Sequence, residues 1–222
     1  TPLLELVKRL EPLPAPLRLA AYVLPVSSLT TLALANAGLV PNAVPGACLV
    51  LSALVVLGAG TVVRETLSRV VVQRGYADAL LDVLEHAAHI EAKSPHLAGL
   101  RDRLRLTGRT PRAYLARFDR WASLAELQYQ GPVHFVANVV LLWDLHVVMG
   151  LERFRREVGD GLDDVFEALA EIEAIASFAT LLDVDPDAVV PELRDVPGPL
   201  EAEGLLHPLL PPGGRVANDL RL

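Results

Sequence analysis

The sequence predicts an all-α chain, a long-helix bundle carrying a two-helix transmembrane hairpin and a short β-prone tail. Three observations predict it. No Lys, Arg, Asp or Glu occurs between Arg18 and Arg64, a gap of 45 residues. From there to about residue 182, apolar residues recur mostly at helical spacing. Pro, Gly and short β-prone runs take over only after Pro186. The 47 charged residues fall in the other 177 positions, making them about 27% charged, which is ordinary for a soluble domain. An apolar content of 52% and a single cysteine, Cys48, exclude a disordered chain and a disulfide scaffold. A free thiol fits a reducing compartment or a lipid-facing site.

Residues 1–18 read as the end of a preceding helix, and residues 19–63 as the hairpin. A membrane span needs roughly 20 apolar residues at about 1.5 Å rise each. Residues 19–39 supply one. Pro41-Asn42-Ala43-Val44-Pro45-Gly46 is a turn by composition. A second span begins at residue 47. The bases lie at the outer ends, with Lys8, Arg9 and Arg18 before and Arg64, Arg69 and Arg74 after. By the positive-inside rule both ends face the cytoplasm and the chain sits in the cytoplasmic membrane. Ser28, Thr31, Ala35 and Gly38 share one face, suited to close helix packing in lipid. Pro25 predicts a kink. A hairpin buried in a soluble core would keep a polar stripe, and neither segment has one.

Residues 64–185 read as a helical lever domain. Leu67, Val70, Val71, Ala77, Leu81, Leu84 and Ala88 continue the second span as an apolar stripe. One helix over 47–93 is expected, about 70 Å long. Residues 97–106 form a short helix. Thr110 and Pro111 read as N-cap and first-turn proline of a helix to Tyr129. Gly131-Pro132 breaks it. An apolar helix over 133–149 is expected to stop at Gly150, and a polar one over 151–158 at Gly159. A long amphipathic helix should follow to Leu182, with Leu162, Val165, Phe166, Leu169, Ile172, Ile175, Ala176 and Ala179 on its stripe. Residues 186–222 read as the start of a different, mixed domain. The opening Thr1 and the strand-like end at 216–222 read as the ends of a piece cut from a larger protein.

Charge is segregated. Arg101, Arg103, Arg105, Arg109, Arg112, Arg117 and Arg120 give residues 101–120 a charge of +5, whereas residues 144–203 carry −12. The arginines are candidates for nucleic-acid or lipid phosphate contact. The plainer reading pairs them with the acidic helices in cis.

Complete catalytic chemistry is absent from the sequence. There is no GxxxxGK[ST], GxGxxG or GxSxG. His86 and His89 beside Glu85 lack a further positioned metal ligand. Asp183-Val184-Asp185-Pro186-Asp187 resembles a calcium loop but has Ala188 where Gly is needed and Arg194 where Glu is needed. No catalytic or metal-binding residue is assigned. Glu173 lies beside the stripe, four residues before Ser177, and is expected in a structural network.

Three segments in order carry a family resemblance. They are Asn138-Val139-Val140-Leu141-Leu142-Trp143-Asp144, then Leu169-Ala170-Glu171-Ile172-Glu173-Ala174-Ile175-Ala176-Ser177-Phe178-Ala179, then His207-Pro208-Leu209-Leu210 with Arg215-Val216-Ala217-Asn218-Asp219. Together they resemble the MutS family of DNA mismatch repair ATPases, in its membrane-embedded branch. The likeness spans roughly residues 64–222, with specific motifs in 138–219. The resemblance implies a lever that feeds an ABC-type ATPase domain in cis, a homodimer, and ATP with Mg as cofactor in the parent protein. Arg215, Val216 and Asn218 would line the adenine pocket. The family usually has an aromatic where Arg215 stands, although a guanidinium can also stack on a base. His207 and Pro208 would seat the lever on the ATPase, and the phosphate loop would follow within some 10–20 residues of Leu222. In relatives that grip double-stranded DNA, a clamp occupies the place this hairpin takes. The function expected is thus a lever of a membrane-anchored ATPase, coupling ATP turnover to DNA or to a membrane partner. The alternative is a helical membrane adaptor or protein-interaction module without an ATPase.

Overall fold

The computed structural model describes residues 2–185, 188–194, 198–208, 210 and 212–222. Pro186 and Asp187 of the Asp-rich turn and Leu209 of the His207 segment lie outside them. The described elements are α1 (Pro2–Arg9), α2 (Ala15–Asn36), α3 (Ala43–Ala88), α4 (Pro95–Arg103), α5 (Pro111–Ala125), a 3-10 turn (Glu126–Tyr129), α6 (Gly131–Leu141), α7 (Trp143–Val184), β1 (Glu201–Leu205) and β2 (Asn218–Arg221). Among the described residues the fold is all-α apart from one two-stranded sheet. The chain forms two compact units, Thr1–Leu169 and Ala170–Leu222.

α2 and α3 make the apolar hairpin, and both are long and apolar enough to cross a membrane. α2 has 22 residues, about 33 Å, enough for a hydrocarbon core of about 30 Å. Pro25 is buried inside this single helix. The helix stops in a Schellman turn. Gly38 sits at φ +74, its N–H donates to Ala35 O (3.0 Å), and the Leu39 N–H donates to Leu34 O (2.9 Å). Gly38 therefore ends the helix, and the close-packed face assigned to it is carried by Ala21, Leu24, Pro25 and Ser28. The hydroxyls of Ser27, Thr31 and Ser52 bond back to their own helix, as a dry environment favours, whereas Ser28 Oγ is buried without a partner among the described residues. Thr31 Oγ1 donates to Ser27 O (2.7 Å), and Ser52 Oγ donates to Cys48 O (3.2 Å).

α3 is one helix of 46 residues, about 69 Å. Gly75 lies within it without breaking it. The helix ends at Ala88, five residues before the expected end. Ser94 must be extended because Pro95 follows (φ −105, ψ 149), and its side chain caps α4 by accepting from the Leu97 N–H. Past the apolar spans, α3 buries Leu67, Val70, Ala77, Leu80, Leu84 and Ala87. It packs on α1, α5 and α6. Thr110 is extended ahead of Pro111, as expected of an N-cap, yet its side chain makes no capping bond.

The glycines at 150, 159 and 161 do not separate helices. α7 runs unbroken from Trp143 to Val184 through all of them. The break lies earlier, at Leu142, whose backbone is left-handed (φ 50, ψ 45). An L-residue there costs about 1–2 kcal/mol, and the complete burial of Leu142 holds it in place. Close packing accounts for two of the glycines. A Cβ on Gly150 would lie 2.4 Å from the Trp121 ring, and one on Gly161 would lie 2.4 Å from Leu106 Cδ2. α7 buries Leu145, Val148, Leu151, Phe154, Val158, Leu162 and Val165, and Phe154 meets Phe118 of α5 at 5.8 Å.

The second unit holds the end of α7 and the antiparallel pair β1–β2. Glu201 pairs with Arg221, Ala202 with Leu220 and Leu205 with Asn218, with an irregularity between Ala202 and Leu205. Gly204 occupies it at φ +63. Its N–H donates to Asp219 Oδ1 at 2.8 Å.

Candidate coupling site at the root of the hairpin

Where the apolar hairpin enters the helical body, three polar connections fix it. The first is on α2. Arg18 donates to Glu152 Oε2 of α7 at 2.8 Å. The other oxygen, Oε1, accepts the backbone N–H of Leu13, just before α2. Glu152 is buried at 5% exposure, so its charge requires these partners. One turn on, Arg155 donates to Leu10 O, and Lys8 meets Asp163 at 2.8 Å. α7 thus holds the chain leading into the first span.

The second connection is on α3. Arg74 donates to Asp119 of α5 and to Glu126 of the 3-10 turn, each at 2.6 Å. Both carboxylates favour its charged form and hold its pKa above the usual arginine value.

The third is the joint between α6 and α7, which meet at 78°. His134 Nε2 lies 2.9 Å from Asp144 Oδ1. Asn138 Nδ2 donates to Asp144 Oδ2 at 2.8 Å, and Asn138 Oδ1 accepts the Asp144 N–H at 3.2 Å. Asp144 sits in the first turn of α7, where its negative charge opposes the helix dipole favourably. Trp143 Nε1 donates to Leu124 O (3.1 Å), and His146 meets Tyr22 of α2 edge-on at 5.7 Å. α6 packs on α2 and α3. An open groove of about 780 Å³ between α3 and α6 is lined in part by Val56, Thr61, Arg64, Tyr129, His134 and Phe135.

No family model, curated protein or solved structure matches this chain.

Three of the seven arginines of 101–120 face the acids of α7. Arg103 meets Asp164 at 2.5 Å and Glu167 at 3.6 Å. Arg117 and Arg109 share Glu157. Arg112 lies 3.6 Å from Glu85, and Arg101 lies 3.7 Å from Asp102. Arg105 and Arg120 are exposed. Glu173 is exposed, and Ser177 Oγ donates to its backbone carbonyl at 2.8 Å, an intrahelical bond. Among the described residues, no group of three His, Cys, Asp or Glu is placed to hold a metal.

In the second unit, Arg215 gathers the tail. It donates to Leu210 O (2.6 Å), to Pro208 O (3.2 Å) and to Asp185 at the end of α7. Asn218 Nδ2 donates to Val216 O at 3.1 Å, while the Val216 side chain is exposed. His207 is exposed and has a partner within the structure. The guanidinium of Arg215 is thus engaged by carbonyls and a carboxylate.

Sequence reading missed Glu152, Arg74 and His134 as connecting residues. Asn138 and Asp144 entered it only as motif letters. They are six apart across a break, so no helical period joins them.

Proposed function

We propose that this chain is the lever of a membrane-anchored ATPase related to the MutS family, transmitting nucleotide-driven motion to the hairpin in the bilayer. One observation carries this reading. α7 is a single helix of 42 residues, about 63 Å. In the first unit its start is tied to α2 by Glu152–Arg18 and His146–Tyr22 and to α6 by Asp144, and in the second unit its end meets Arg215 through Asp185. A continuous helix tied ionically near its start offers a path by which a change at its end reaches the hairpin root. The stripe beyond Ile172 also supports it. Ile175, Phe178 and Leu182 are exposed, an apolar face suited to covering by a following domain.

In this reading, ATP with Mg binds the domain that continues from β2, with Asn218 and Val216 at the base. Arg215 reaches the base only by releasing Asp185. DNA contact rests first on Arg105 and Arg120, since the other five arginines of the run each lie within 4 Å of a carboxylate.

The test uses the parent protein with the segment that follows Leu222. A GxxxxGK[ST] loop within about 20 residues is expected. So is Mg-dependent binding of a fluorescent ATP analogue, weakened at least tenfold by Asn218→Ala. Absence of both the loop and nucleotide binding overturns the ATPase reading and leaves the adaptor without an ATPase. Duplex binding that strengthens steeply as salt falls would add the DNA arm.

A further inference from the structure

We propose that α6 is a third membrane element, lying in the bilayer interface against the hairpin, so that the α6–α7 joint is seated on phospholipid. The inference rests on reading the hairpin as membrane-spanning and goes beyond it.

The composition of α6 comes first. Its 11 residues contain no Lys, Arg, Asp or Glu. Its faces are arranged inside out for a helix in water. The two polar side chains, His134 and Asn138, turn inward to Asp144. Val133, Phe135 and Val136 are instead 58%, 66% and 59% exposed. A surface helix in water normally shows the reverse arrangement.

The position of α6 identifies what covers that face. It packs on α2 and α3, beside the open groove whose α3 wall runs from Val56 to Ser68. Leu54, Leu57 and Val62 of α3 are exposed along the same stretch. The apolar surface of α6 therefore continues that of the hairpin, and the same lipid covers both.

Length decides between crossing and lying. α6 spans about 16 Å, half of a hydrocarbon core of about 30 Å. After Leu142 the chain turns by 78°. α7 then carries Asp144, Glu152 and Arg153, which are unsuited to lipid. A short helix with one apolar face beside two spans fits the boundary of headgroups and acyl chains. Tyr129, 64% exposed ahead of α6, suits an interfacial aromatic. Arg64, the first charge after the gap, lines the groove and forms no ion pair among the described residues. It is placed to meet a lipid phosphate there.

Depth measurement tests the proposal. The full chain, with Cys48→Ala, is labelled with an environment-sensitive dye through one introduced cysteine and reconstituted into phosphatidylcholine–phosphatidylglycerol vesicles. The positions are Leu54→Cys, Phe135→Cys, Val136→Cys and Arg153→Cys, all at exposed side chains. The Leu54 dye should be quenched by spin labels deep in the acyl chains. The dyes at 135 and 136 should be quenched by shallow spin labels and be at least threefold less sensitive to aqueous iodide than the dye at 153. Iodide access at 135 and 136 equal to that at 153, with Leu54 still lipid-quenched, overturns the proposal while the membrane reading stands. Shielding from iodide without lipid quenching at 135 and 136 also overturns it, in favour of a protein partner. Failure of lipid quenching at Leu54 overturns the membrane reading itself.

Discussion

Arg18, the last charge before the apolar gap, donates to the buried carboxylate of Glu152, 134 residues further along the chain. This bond ties the first span to the long helix of the body. Glu152 also accepts the Leu13 N–H. Glu152→Ala therefore removes two partners and leaves Arg18 half-buried without its counter-charge. Loss of one member of a buried pair costs about 3–5 kcal/mol. Arg18 keeps about a third of its surface in solvent, so about 2–3 kcal/mol is expected. Thermal melting in detergent should show a Tm several degrees lower. An unchanged Tm would mean that the pair does not fix the root.

The glycines of α7 separate packing from propensity. In a helix interior Ala is favoured over Gly by about 1 kcal/mol. At Gly159 a new Cβ would meet Arg155 Cγ at 3.5 Å and Val7 Cγ1 at 3.8 Å, ordinary contact. Gly159→Ala should stabilise by about 0.5–1 kcal/mol. At Gly150 the new Cβ would enter the Trp121 ring. Gly150→Ala should destabilise by about 1–3 kcal/mol through overpacking. The two variants, melted side by side, should shift Tm in opposite directions. Shifts of the same sign would refute the close approach at Trp121.

How far the fold was legible follows from these residues. The hairpin was legible because 45 uncharged residues leave few alternatives. α7 was not, because glycine in a sequence signals either a stop or a close contact, and the deciding partners, Trp121 and Leu106, lie far away in the chain. The true break at Leu142 had no marker, since leucine is a poor residue for a left-handed backbone and is held there by burial. The root was hidden for the same reason. Arg18 and Glu152, or Arg74 and Asp119, are distant in sequence and share no period. The adenine-pocket residues came from resemblance, and the geometry shows Arg215 engaged with Asp185.

Tyr114 gives a pH dependence. Its ring is buried, and its hydroxyl lies 3.4 Å from Leu104 O as a donor. Burial pushes the phenol well above its usual value of 10.0. A group whose folded pKa is raised contributes its stability below the unfolded pKa and loses it as pH rises through the window above. Stability should therefore fall above about pH 10, by up to about 1.4 kcal/mol per pH unit from this one proton. Tyr114→Phe should flatten that fall, measured as Tm between pH 9 and 11.5. An equal fall in both proteins would assign the alkaline loss to other groups.

Asp144 holds the joint between α6 and α7, and its removal should be felt as a change of angle as well as of stability. Its carboxylate holds His134 and Asn138 of α6, and its N–H is held by Asn138. Asp144→Ala leaves both α6 side chains without their acceptor in a part-buried site, at about 1–3 kcal/mol. Leu142 and its packing, with the Trp143–Leu124 bond and the His146–Tyr22 contact, then set the bend. Asp144→Asn keeps an oxygen for one of the two donors and should lose less. Spin labels on exposed positions of α6 and α7, at Val136→Cys and Arg153→Cys with Cys48→Ala, report the joint directly. In the otherwise native chain the distance distribution should be narrow. Asp144→Ala should broaden it, with Asp144→Asn in between. A narrow distribution in all three would show that apolar packing alone fixes the joint, and Asp144 would then serve only to satisfy its neighbours.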